Sequence, residues 1–249
     1  NAILTAVQRL CRDEGLRPEK TVFVSGIGCS SRFPHYMKTY GFHGIHGRAF
    51  PVAEGVKMAR PDLTVFVNTG DGDCCSIGAA HWIHAIRYNM NLTVFLHDNR
   101  IYGPTSPIGT KSNTTPRGSY LDALNPLSVT LGVANASFVA QAVDWIPESL
   151  FEIVKAAYHH QGMSFVRVLQ RCPEWLPNSF EPWMQDPERI QLLHHENSLQ
   201  ISPGLAKVYK NQLHHDPLDM NRAREIASSD DVIPVGILYQ NRDIPRYEE

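Results

Sequence analysis

Gly70-Asp71-Gly72-Asp73 closes an apolar run, TVFVNT, that reads as a strand, and Asp98-Asn99 closes the next such run, LTVFLHDN. A glycine turn between strand and helix offers backbone N–H groups to phosphate oxygens, and ligands of open α/β sheets sit beyond the carboxyl ends of strands. Alone, GDGD is weak evidence, because a Gly-Asp turn after a strand is more often only a turn. The second pair changes the weighing. Residues 73–97, 25 in number, separate Gly72 from Asp98-Asn99, and one helix plus one strand fill that interval. Asp71 and Asn99 are therefore expected at the same edge of adjacent strands. Magnesium favours near-octahedral oxygen ligation and takes one or two carboxylates with substrate phosphates. The Asp71 carboxylate, the Asn99 amide oxygen and the Ile101 carbonyl supply half of such a shell; two diphosphate oxygens and a water complete it.

Other reactive side chains give less. GIGCSS (26–31) is a tight turn bearing either an accessible thiol at Cys29 or a buried structural cysteine, and its residues alone leave both open. The cysteines are Cys11, Cys29, Cys74, Cys75 and Cys172, an odd number without framework spacing, which points to free thiols or metal ligands in a reducing compartment. Cys74 and Cys75 are adjacent, a poor arrangement for sharing one metal, and Cys11 falls mid-helix; none is given a role. His46 by itself reads as an ordinary histidine. So do His81 with His84 and the pairs His159-His160, His194-His195 and His214-His215, none of which has a further ligand at a recognisable spacing.

These residues need a scaffold, and the pattern supplies one. Helices are expected over 2–14, 50–60, 77–89 and 147–161, and strands over 21–28, 63–70, 92–99 and 164–172. Val65-Phe66-Val67 and Val94-Phe95-Leu96 are continuous apolar runs, as strands buried on both faces require. The fold class is α/β, a doubly wound, mostly parallel sheet. Residues 102–120 are dense in Gly, Pro, Ser and Thr, and an irregular stretch of that length tends to be functional. Beyond Cys172 the chain turns rich in Pro, Trp, His and charge. The division expected is a domain over 1–180 and an irregular extension over 181–249 that wraps it or meets a partner.

At 249 residues, 43% hydrophobic and with a net charge of −2, the chain can bury a sizeable core and has no basic excess for nucleic acid. No apolar run reaches the roughly 18 residues that a membrane helix needs. Arg9 and Arg12 interrupt the opening stretch, which reads as an amphipathic helix rather than a signal peptide, so a soluble cytoplasmic chain is expected.

GDG followed by about 25 residues and Asn is the thiamine-diphosphate motif. The stretch HGRAFPVAEGVKMARPDLTVFVNTGDGD…HAIRYNMNLTVFLHDNRIYGPT resembles the β subunits of 2-oxoacid:ferredoxin oxidoreductases. The resemblance covers most of 1–180 and resumes at HDPLDMNRAREIASSDDVIPVGILYQ. It implies that Asp71, Asn99 and Ile101 bind magnesium, and that Gly70, Gly72, Asp73, Tyr102, Gly103 and Thr105 line the cofactor. By the same resemblance His46 contacts the diphosphate, Gly28, Cys29 and Ser30 approach the cofactor, and Cys29 and Cys172 are ligands of a [4Fe-4S] cluster. The family's Cys-Pro-x-Cys-Gly pair, expected just before the first helix, has no counterpart here; a segment upstream of Asn1 is the expected source. The activity implied is coenzyme A-dependent, reversible oxidative decarboxylation, most readily of 2-oxoglutarate to succinyl-CoA and carbon dioxide, with electrons passing through the cluster to ferredoxin. An α subunit is expected to supply the activating glutamate within an (αβ)2 assembly. A pyruvate-specific enzyme, a non-oxidative thiamine-diphosphate decarboxylase or carboligase, and a non-catalytic nucleotide-binding module are the rival readings.

Overall fold

The computed structural model describes residues 2–102, 106–107, 124–174, 176–229 and 231–248, with backbone alone at 101, 102, 106 and 107. Its central feature is a nine-stranded sheet. In chain order the sheet strands are β1 (Thr21–Ser25), β2 (Tyr40–His43), β3 (Thr64–Gly70), β4 (Thr93–Asp98), β7 (Phe138–Val143), β8 (Ser164–Leu169), β9 (Ile190–His194), β10 (Gln212–His214) and β11 (Ile233–Gln240). A separate antiparallel pair, β5 (Ile101–Tyr102) and β6 (Ser106–Pro107), follows β4. The spatial order is β10-β9-β11-β7-β8-β4-β3-β1-β2, parallel throughout except where β11 meets β7. The helices are α1 (Ala2–Asp13), α2 (Ala49–Ala59), α3 (Ala79–Tyr88), α4 (Pro126–Gly132), α5 (Pro147–His159), α6 (Glu181–Met184), α7 (Pro203–Val208) and α8 (Met220–Ala227).

Side-chain alternation along the central strands explains why helices cover both faces. Val22, Val24, Val65, Val67, Val94 and Leu96 point to one side, into a core shared with α2, α3, α4 and α8. Phe23, Phe66 and Phe95 point to the other, under α1 and α5. Their rings stack in a row, with centroids 4.8 Å apart for Phe23 and Phe66 and 6.1 Å for Phe66 and Phe95. Each such fully buried side chain contributes about 2–3 kcal/mol. This is the doubly wound, mostly parallel α/β sheet expected from the sequence. Residues 181–249 are more regular than an irregular extension: they add β9, β10 and β11 to the same sheet, and Ile190, Leu192, Ile233 and Val235 join its core. No helix among the described residues is long and apolar enough to cross a membrane.

At the amino end of the strands a buried polar group sets an acid limit on the fold. Ser137 donates its hydroxyl to Asn89 Oδ1 at 2.5 Å and lies 2.9 Å from His160 Nε2, whose N–H it accepts. His160 Nδ1 is buried without a hydrogen-bond partner, so a proton there has no acceptor. Burial holds the imidazole down at about 4. As pH falls below the unfolded value of about 6.5, the unfolded chain takes up a proton that the folded chain refuses. Folding stability is therefore expected to drop by about 2 kcal/mol between pH 7.5 and 5 from this group, and by much less in His160→Gln, as measured by urea unfolding.

Candidate functional site

The parallel register brings five strand ends to one edge. Ser25 lies opposite His43 and Asn68, Gly70 opposite His97, and Asp98 opposite Leu169. Segments 26–31, 44–47, 70–73, 99–101 and 170–172 therefore all emerge at the carboxyl edge, where open α/β sheets bind ligands. Asp71 and Asn99 sit on the ends of adjacent strands, as their spacing predicts.

Asp73 ties these loops together. Its Oδ1 accepts the Ile27 N–H (3.1 Å) and the Gly47 N–H (2.7 Å) and lies 2.6 Å from His46 Nδ1, while Oδ2 accepts the Thr69 hydroxyl at 2.8 Å. At 2% exposure the carboxylate faces into the protein. The resemblance makes Asp73 a cofactor-lining residue; the geometry gives its side chain the task of closing the walls. Two glycines follow from this closure. A Cβ on Gly26 would collide with the Asp73 carboxylate, and Gly47 combines a φ of +73° with a Cβ position 2.8 Å from the Gly78 nitrogen. Donating from Nδ1 to this carboxylate also orients the His46 ring, turning its other nitrogen away from Asp73.

Asp71 stands at the head of a single π-helical turn, Gly72–Ile77, and its carboxylate accepts the Gly72 N–H at 2.9 Å. Such turns occur often at functional sites because they re-aim side chains. Only 6% exposed, Asp71 lies at the bottom of the edge. The backbone of β5, which carries the Ile101 carbonyl, adjoins the π-helical turn. Ser30 reaches over from the 26–31 loop, its Oγ 3.1 Å from where a Gly70 Cβ would be.

Asn99 is held by its neighbours. The Asp98 carboxylate accepts the Arg100 N–H at 3.0 Å and the Arg167 Nε–H at 2.6 Å, and Arg167 also donates to Gln141 Oε1 at 3.1 Å. Asp98 is 3% exposed. Burial alone would raise its pKa, but the charge and hydrogen bonds of Arg167 outweigh burial and hold it below the usual carboxylate range. Arg100 takes a φ of +60°, so the chain turns sharply just after Asn99.

Cys29 is exposed on the 26–31 loop, and Cys172 is buried beyond β8, at the same edge. Cys74 sits inside the π-helical turn, where burial pushes its thiol well up, and burial pushes Cys11 to about 11. Burial of this kind disfavours the thiolate form of both. Gly28, Cys29, Ser30, His46, Gly70, Asp71, Gly72, Asp73 and Asn99 thus gather at one edge, on loops, the last residue of β3 and the π-helical turn, with Ile101 and Tyr102 in β5. Gly103 and Thr105, and most of the 102–120 segment, lie outside the described residues. Arg167 and Thr69 are not singled out by the sequence, and Gly26 only as part of the GIGCSS turn. The signal for Arg167 is visible there, a lone charge inside the apolar strand SFVRVL.

Residues 26–168 match the family described as thiamine pyrophosphate enzyme, C-terminal TPP binding domain. Residues 205–249 match the family described as the C-terminal part of the pyruvate ferredoxin oxidoreductase beta subunit. The chain is 46% identical over 202 residues to the 2-oxoglutarate oxidoreductase subunit KorB of Mycobacterium tuberculosis, covering 78% of this chain and 54% of that one, so it spans about half the length of that relative. It is 37% identical over 261 residues to the 2-oxoacid:ferredoxin oxidoreductase subunit beta of a Sulfolobus species, covering 99% of this chain and 81% of the other. Among solved structures, a chain of the 2-oxoglutarate:ferredoxin oxidoreductase from Magnetococcus marinus, determined with 2-oxoglutarate, coenzyme A and succinyl-CoA bound, superposes with a TM-score of 0.81 at 34% identity, covering 99% of this chain and 80% of that one.

Proposed function

The chain belongs to the β subunits of the 2-oxoacid:ferredoxin oxidoreductases, and we propose that it carries the thiamine-diphosphate and magnesium site of an enzyme that oxidises 2-oxoglutarate. What supports this reading is position: Asp71 follows β3, Asn99 follows the adjacent β4, and Ile101 opens β5 beside the π-helical turn, so that a carboxylate, an amide and a carbonyl oxygen are available on one glycine-lined edge. That set suits a hard divalent cation shared with diphosphate oxygens. Thiamine diphosphate supplies the carbon nucleophile that 2-oxoacid decarboxylation requires. The protein's own contribution is to hold and orient. The 70–73 turn would receive the diphosphate, while Asp73 fixes the His46 ring and the Asp98–Arg167 pair keeps the Asn99 turn in place.

Cys29 and Cys172 would hold part of a [4Fe-4S] cluster beside the cofactor. A cluster of this kind takes four thiolates, and this chain's other cysteines lie inside helical segments, Cys11 half-buried in α1 and Cys74 with Cys75 buried in the π-helical turn. The activating carboxylate comes from an α subunit in an (αβ)2 assembly, with coenzyme A as acyl acceptor, ferredoxin as electron carrier and a cytoplasmic setting. Residues 1–180 carry the cofactor site, and 181–249 support it or meet a partner. The mycobacterial and Magnetococcus relatives, both named for 2-oxoglutarate, favour that acid, whereas the family matched by 205–249 is named for pyruvate.

The test is viologen reduction by the protein assembled anaerobically with its α subunit, using each acid with and without coenzyme A. Activity that requires coenzyme A and is faster with 2-oxoglutarate is expected. Faster turnover of pyruvate would overturn the substrate assignment, and a fully loaded enzyme that reduces nothing with either acid would overturn the oxidoreductase reading.

A further inference from the structure

At the opposite edge of the sheet, three polar side chains converge that play no part in the site described above. β9 and β10 are parallel to β11, and β11 is antiparallel to β7, so their carboxyl ends point away from the cofactor edge. His194 lies opposite His214, and the His215 N–H donates to the His194 carbonyl at 3.0 Å. This register draws together His195, Glu196 and His214. His214 Nε2 lies 3.1 and 3.0 Å from the two Glu196 carboxylate oxygens, and His195 Nε2 is 3.4 Å from Oε2. One ligand atom from each residue falls within 4.8 Å of the others.

We propose that His195, Glu196 and His214 form a binding site for a divalent transition-metal ion of the zinc type, held by two imidazole nitrogens and one carboxylate oxygen with water in the fourth position. Two imidazoles and a carboxylate match the borderline character of zinc, whereas calcium and magnesium take oxygen ligands almost throughout. The backbone already fixes much of the arrangement. The His195 N–H donates to the Leu199 carbonyl at 3.3 Å, and the Gln200 amide donates to the His195 carbonyl at 2.6 Å. Ligation through Nε2 places the ring proton of His195 on Nδ1, so the contact in which the Asn197 N–H donates to Nδ1, 3.3 Å long, opens. The ion would fasten the edge strand β10 and the 196–213 segment to the end of β9. A short edge strand pinned in this way is a poor template for pairing with another chain.

The experiment removes bound metal from the assembled protein with chelator and titrates it with Zn2+ and, separately, with Co2+. Cobalt distinguishes this site from the thiols, because nitrogen and oxygen ligation gives visible bands without thiolate charge transfer. The expected result is one equivalent of cobalt per chain with a thiolate-free spectrum, zinc protection of 196–213 from proteolysis, and affinity weakened by more than about tenfold in both His214→Ala and Glu196→Gln. Thiamine-diphosphate content should stay at the wild-type level in both variants. Absence of a thiolate-free equivalent, or its retention at full affinity in both variants, would overturn the site.

Discussion

Asp73→Ala is expected to lose retention of thiamine diphosphate and at least about 3 kcal/mol of folding stability. The carboxylate is the common acceptor for Ile27, Gly47, Thr69 and His46, which come from the loops after β1 and β2 and from the end of β3. Removing it leaves two backbone N–H groups without their acceptor and the Thr69 hydroxyl with only a 3.4 Å contact to the Gly70 carbonyl, and each lost bond to a buried group costs about 1–3 kcal/mol. It also opens a void beside Gly26, whose missing Cβ is what lets the carboxylate approach. Asp73→Asn fills the same volume but can accept only through its oxygen, while its NH2 group faces donors. An intermediate loss is expected for it. Urea unfolding and the cofactor content of the purified assembly check both variants. Wild-type stability in Asp73→Ala would mean that the loops hold each other without this hub.

Arg167→Ala is expected to cost about 3–5 kcal/mol, the usual range for breaking a buried ion pair from one side. The cost arises at Asp98, which stays charged, 3% exposed and short of its main counter-ion. Replacing both partners, Arg167→Met with Asp98→Asn, should recover most of the loss, because no unpaired charge then remains buried. The pH dependence has a definite sign. The folded Asp98 carboxyl is held below its unfolded value of about 3.9, so its contribution is fully present above that value and disappears as pH falls through the depressed one. Wild type and Arg167→Ala should therefore converge in stability only in strong acid. Urea midpoints collected from pH 7 downward measure this directly. The Asn99 turn also loses its anchor, so cofactor retention should weaken in Arg167→Ala together with stability.

The sheet was legible in the sequence where apolar runs are continuous, as in β3 and β4, or broken only once, as by Arg167 in β8. β7 has no counterpart in the sequence reading although Phe138–Val143 is nearly as apolar; its Gln141 is buried because it donates to the Pro234 carbonyl, a partner 93 residues away. β11 is obscured by Pro234 and by Gly236, which sits at φ +144° close to a register shift against β7. β10 is three residues long and largely exposed, so it carries no hydrophobic pattern. The site divides in the same way. Asp71 and Asn99 could be read because each ends a recognisable strand, and strand ends share an edge. The task of Asp73 could not, since its donors lie at positions 27, 46, 47 and 69 and converge only through the β1–β2 and β1–β3 pairings. The His195, Glu196 and His214 group was likewise hidden, because only the β9–β10 register makes neighbours of two histidine pairs that look unremarkable along the chain.

The most direct measurement is the thiamine diphosphate and magnesium content of the assembled enzyme after gel filtration, for the wild type and for Asp71→Ala. Asp71 carries the buried carboxylate of the proposed metal shell, and removing it takes away the one full negative charge among the magnesium ligands that this chain supplies. Near-stoichiometric cofactor and magnesium in the wild type, with both lost together from a folded Asp71→Ala assembly, is the predicted result. Undiminished thiamine diphosphate and magnesium in Asp71→Ala would show that the glycine-lined edge of β3 and β4 does not hold the cofactor.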